Sequence, residues 1–161
     1  MSSLDPEALK DAKSIEFKVV REDWNRYIIK DEKPIPLKAK VVVSKIVKTD
    51  RYDEHGDPIY GVASQTVAVT DAPREVKGTP SRNINLATAY AKAKELEFES
   101  VEEKWNEYEV KDGTVVRVKL VVSGVQKTEY FVPDGDPLYN IQNDAVVKYI
   151  VPPDLKRKAG S

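Results

Sequence analysis

The chain has 161 residues, 40% apolar and 33% charged, with a formal net charge of −1 from 26 Lys+Arg against 27 Asp+Glu. That length suits one domain or two small ones, and the apolar share at near-neutral charge is too high for a disordered chain. There is no cysteine and one histidine, His55, which excludes disulfides, thiolate metal sites, thiol nucleophiles and paired-histidine chemistry.

The first predicted element is a short helix over 5–13, capped by Asp5 with Pro6 at its first helical position. Ile15 to Val19 alternates apolar and polar and reads as a strand. Trp24-Asn25-Arg26-Tyr27 follows, then Lys30-Asp31. A long strand comes next, with Leu37, Ala39, Val41 and Val43 on one face and Lys38 and Lys40 on the other. Its apolar face changes sides at Ser44, which calls for a bulge or bend, because a one-residue slip turns every side chain over. The loop Asp53-Glu54-His55-Gly56-Asp57 leads into a fourth strand, Ile59 to Thr70, ended by Pro73.

The second half repeats the first. Trp105-Asn106-Glu107-Tyr108 lies 81 residues after Trp24-Asn25-Arg26-Tyr27, and Lys111-Asp112 answers Lys30-Asp31. The offset then falls to 79 across a turn, where Asp31-Glu32-Lys33-Pro34 faces Asp112-Gly113. Lys48-Thr49 meets Lys127-Thr128, and Gly56-Asp57-Pro58-Ile59-Tyr60 meets Gly135-Asp136-Pro137-Leu138-Tyr139. Such self-similarity reads as a tandem duplication. The expected organisation is a first repeat over 1–73, with strands over 15–73, and a linker over 74–84. A second repeat spans 85–153, with a helix over 86–94 and strands over 96–152, and a flexible tail covers 154–161. In it Asp112-Gly113 signals a tight hairpin, and the long strand runs from Thr114 to Thr128 with its face change at Ser123-Gly124.

The expected fold is mainly β (α+β). Each repeat holds a short helix and about four antiparallel strands, as curled sheets or small barrels related by pseudo-twofold symmetry. No apolar run nears the roughly 20 residues of a membrane helix, and the start lacks the pattern of a signal peptide. A cytoplasmic protein without a membrane partner is therefore expected. Its Lys/Glu-rich, Cys-free composition also fits a thermophile.

The residues recurring in both halves are the candidate binding set: Trp24, Asn25, Tyr27 and Tyr60, with Trp105, Asn106, Tyr108 and Tyr139. Aromatics on strands stack on bases or sugars, but they also fill small cores. Lys38, Lys40, Lys45 and Lys48, echoed by Arg117, Lys119 and Lys127, form a basic stripe that suits phosphates or simply keeps a strand face solvated. The loop 53–57 offers oxygen ligands, yet its sister has Val132 and Pro133 where the first has Asp53 and Glu54, so a polar turn is favoured and no metal site is assigned. No nucleophile–base pair, phosphate loop or paired-His motif is found, so no catalytic residue or cofactor is assigned. The expected function is a non-enzymatic binding or assembly protein, through a protein partner or self-association. The alternatives are a nucleic-acid-binding small barrel, which the near-neutral charge disfavours, and a small enzyme with its site between the repeats.

Overall fold

A computed structural model describes residues 11–157. Among the described residues ten strands and one α-helix follow in chain order: β1 Lys13–Ser14, β2 Phe17–Arg21, β3 Asn25–Lys30, β4 Pro34–Tyr52, β5 Pro58–Thr70, α1 Leu86–Ala91, β6 Lys94–Leu96, β7 Phe98–Glu102, β8 Trp105–Val110, β9 Val115–Phe131 and β10 Pro137–Ile150. Single turns of 3-10 helix lie at Arg74–Val76 and Pro153–Leu155. Among the described residues the strands form two five-stranded antiparallel sheets. In the first the order is β1-β4-β3-β7, with β5 along the other edge of β4. In the second it is β10-β9-β8-β2, with β6 also on β9. Both sheets are open, so the small barrels expected from the long bent strands are not formed.

Each sheet borrows a strand from the other half of the chain. β2 lies on β8, with Phe17 opposite Val110 and Val19 opposite Tyr108. β7 lies on β3, with Ile29 opposite Phe98 and Arg26 opposite Glu102. The segment read as one strand from Ile15 to Val19 is therefore divided. β1 stays on β4, the Ile15 N–H is bonded to the Ile46 carbonyl, and β2 then joins the other sheet.

The period-two pattern explains which faces meet. Ile35, Leu37, Ala39, Val41 and Val43 of β4 are buried, as are Val116, Val118, Leu120 and Val122 of β9. With Ile29 and Val110 these belong to one apolar cluster, each large side chain contributing roughly 2 kcal/mol by leaving water. The expected face changes are present. The register slips between Val43 and Lys45, and on β9 between Val122 and Gly124. Ile46 and Val125 are the next apolar residues to be buried.

Other expectations change in detail. Residues 5–10 of the first expected helix lie outside the described residues, and Lys13 is in a strand. The second helix stops at Ala91, and Lys94 already opens β6. Asn85 caps that helix, accepting the Thr88 N–H at 3.2 Å. Within 154–157, the described part of the expected tail, Arg157 makes two contacts. The Arg157 N–H donates to the Gly56 carbonyl at 2.7 Å, and the Arg157 guanidinium sits over the Tyr52 ring at 4.7 Å. In the same manner the Gly78 N–H donates to the Gly135 carbonyl at 2.9 Å.

Candidate functional site

The candidate residues separate into two groups. Asn25, Tyr27, Tyr60, Asn106, Tyr108 and Tyr139 are buried, none more than 8% exposed. Trp24 and Trp105 are half-buried, on the outer sides of the sheets with the cations of the stripe.

The buried group is used internally. The Asn25 side-chain amide donates to the Leu120 carbonyl at 3.0 Å, while its oxygen accepts the Lys104 N–H at 2.9 Å. Asn106 donates to the Val41 carbonyl at 2.9 Å and accepts the Asp23 N–H at 3.0 Å. Each asparagine thus fastens its own sheet to the long strand of the other. The Tyr27 hydroxyl donates to Glu103 at 2.9 Å and that of Tyr108 to Glu22 at 2.8 Å. Burial first, and then the neighbouring carboxylate, push both phenols up, Tyr27 to about 12.

Tyr60 and Tyr139 belong to two Lys–Asp–Tyr clusters that join the halves. Asp112 accepts from Tyr60 at 2.7 Å and from Lys48 at 2.8 Å, and the Tyr60 hydroxyl is 2.8 Å from that of Thr114. Asp31 accepts from Tyr139 at 2.7 Å and from Lys127 at 3.0 Å. Burial alone would raise the Asp112 carboxyl. The hydrogen bonds from Lys48, Tyr60 and the Thr114 backbone outweigh it and bring it down to about 2. Asp31 is lowered in the same way, against burial, by Lys127 and Tyr139. Burial and these carboxylates push both tyrosines well above the usual phenol range. The Lys30-Asp31 and Lys111-Asp112 matches mark these acids in the sequence, though only as signs of repetition.

The outer faces carry the second group. The Lys38 and Lys40 ammonium groups lie 4.7 and 4.9 Å from the Trp24 ring centroid. On the other sheet Arg117, Lys119 and Lys148 lie 5.7, 5.8 and 5.7 Å from the Trp105 ring. Such contacts are each worth roughly 0.5–1 kcal/mol at exposed sites. Lys148 was not among the expected residues. It reaches Trp105 because β10 pairs it with Arg117, two residues along β9 from Lys119. The ladders set exposed Val67 beside Lys40 and exposed Val146 beside Lys119. Glu107, opposite Arg117, brings its carboxylate to 3.7 Å from the Arg117 Nε.

The loop at 53–57 is a turn: the Asp53 carboxylate accepts the His55 and Asp57 N–H groups, both at 2.9 Å. Asp136 is buried, accepting from Thr70 at 2.7 Å and lying 3.2 Å from the Lys77 ammonium. No helix among the described residues is long and apolar enough to cross a membrane. Compared with known protein families, curated proteins and solved structures, the chain matches none.

Proposed function

We propose that the chain is a tandem duplication whose two units form a bivalent, non-enzymatic binding protein. It makes contact through its two outer sheet faces, with self-association or a protein partner as the outcome. The units are the repeats over 1–73 and 85–153, related by a pseudo-twofold axis. Reciprocal contacts support the duplication: Asn25 reaches Leu120 as Asn106 reaches Val41, and Lys48, Asp112 and Tyr60 answer Lys127, Asp31 and Tyr139. One observation carries the binding role. Each outer face holds a half-buried tryptophan under cations, with an exposed valine in the neighbouring row. Paired presentation of an aromatic and an aliphatic side chain suits a contact surface.

Light scattering checks it. The wild-type mass is expected to rise with concentration, and the Trp24→Ala/Trp105→Ala variant is expected to keep the mass of one chain. A double variant that associates as the wild type does removes these faces from the contact. A wild type that keeps the mass of one chain at every concentration removes self-association.

A second reading, a single-stranded nucleic-acid ligand, is favoured by the lysines and arginine that flank the rings. Bases would stack on Trp24 and Trp105 while the cations meet phosphates. An oligonucleotide is then expected to quench tryptophan emission, with affinity falling steeply as salt is added. No retention of DNA or RNA on a filter at low salt ends this reading.

A further inference from the structure

We propose that the cleft between Thr70 and Tyr139 binds a small molecule built on one phenolic ring. The inference rests on the two-unit reading above, and uses a place where the units differ. At the 79-residue offset Tyr60 answers Tyr139, and Tyr149 answers Thr70.

On the Tyr60 side the Tyr149 ring is stacked on Tyr60, with centroids 5.5 Å apart and planes 19° from parallel. The Tyr149 hydroxyl lies 3.5 Å from the Tyr60 carbonyl. The ladder places Tyr149 opposite Val116 and Thr70 opposite Leu37. These are again matching positions, so the two side chains start from equivalent points of the two sheets.

Thr70 has no ring to offer. Its short side chain turns instead to Asp136, donating at 2.7 Å. A cleft of about 240 Å³ lies there, lined by Leu37, Ala68, Thr70, Leu138, Tyr139 and Ile141. Tyr139 is 8% exposed where Tyr60 is 1% exposed. A dry cavity of about 150 Å³ holds benzene, so this cleft has room for one substituted ring. Leu37, Ala68, Leu138, Ile141 and the Tyr139 ring form the apolar part of the wall, and Asp134 adds a carboxylate to the lining; aromatic pairs of offset geometry add to area burial. The protein supplies its own example of the occupant. A phenol lying on Tyr139 as Tyr149 lies on Tyr60 directs its hydroxyl at the Tyr139 carbonyl.

The test titrates the full chain with p-cresol, which is the tyrosine side chain as a free molecule, and follows backbone amide resonances. Saturable shifts are expected at Ala68, Thr70, Leu138, Tyr139 and Ile141. Cyclohexanol, of similar size but not planar, is expected to bind about threefold to tenfold more weakly. Thr70→Tyr places a ring in the cleft and is expected to weaken p-cresol at least about tenfold. Tyr149→Ala opens the sister place and is expected to add a second p-cresol site beside Tyr60. Unsaturable or scattered shifts in the wild type overturn the proposal, as does wild-type affinity in a folded Thr70→Tyr chain. A wild type that binds nothing while Tyr149→Ala gains a site beside Tyr60 also overturns it. That last result leaves the two-unit reading standing, since it shows the matching place at work.

Discussion

Asn25→Ala is expected to cost about 3 kcal/mol of folding free energy, and Asn106→Ala a similar amount. Asn25 is 2% exposed, and its side chain satisfies the Leu120 carbonyl and the Lys104 N–H at once. Truncation leaves both groups without that partner, at roughly 1–3 kcal/mol for each buried group so stranded. It also takes a 3.3 Å contact from the Tyr27 hydroxyl. The double variant would lose about 6 kcal/mol if the sites add, a large share of the roughly 5–15 kcal/mol that a domain has in hand. It is expected to lose its near-ultraviolet dichroism at room temperature. Urea titration of the single variants checks the argument through a lowered midpoint at unchanged slope. Because each asparagine ties one sheet to the other, wild type and single variants are expected to unfold in one transition by every probe. A loss below about 0.5 kcal/mol would mean that water replaces the asparagine without penalty.

Acid is expected to loosen the fold between about pH 4 and pH 2. The Asp112 carboxyl is held down to about 2 by Lys48, Tyr60 and Thr114, and Asp31 is lowered by Lys127 and Tyr139. A carboxyl that titrates lower in the folded chain takes up its proton first in the unfolded chain. Its contribution is whole above the ordinary value of 3.8 and is lost as the pH falls through the folded value of about 2. For Asp112 that contribution is about 2 kcal/mol. Asp31→Asn/Asp112→Asn is expected to lower the melting temperature at pH 7 by several degrees. It is also expected to flatten the further fall between pH 4 and pH 2. A double variant whose acid limb parallels that of the wild type would show that other carboxylates govern the acid response.

Much of this was legible in the residues. Alternation along Leu37–Val43 and Val116–Val122 marked the buried faces, because a strand turns successive side chains to opposite sides. Asp112-Gly113 marked the turn, and Gly113 adopts a φ of 97° there, a conformation that a side chain resists. The bulges at Ser44 and Ser123 were read from the change of apolar face. The same slips move Lys48 and Lys127 off the face that carries the lysines before them. Lys38 and Lys40 stand on the outer face before the slip, and Lys48 after it shares the inner face with Ile46 and so reaches Asp112. The stripe that looked continuous in the sequence is cut in two by one extra residue. The buried aromatics were open to two interpretations, because a tyrosine that fills a core and one that meets a ligand have the same spacing.

Local pattern was enough to settle strands, turns and bulges, since each depends on a few neighbouring residues and their backbone preferences. It could not say which sheet a strand would join. β2 has the same alternation whether it lies on β3 or on β8, and a free edge accepts any strand of matching register. That choice was made by packing. Crossing over let Phe17 meet Tyr108 and Phe98 meet Tyr27 edge to face, and β2 and β7 cover the outer edges of β8 and β3. The Lys–Asp–Tyr clusters and the asparagine bonds between sheets exist only once that exchange has been made, because their members come from opposite halves of the chain.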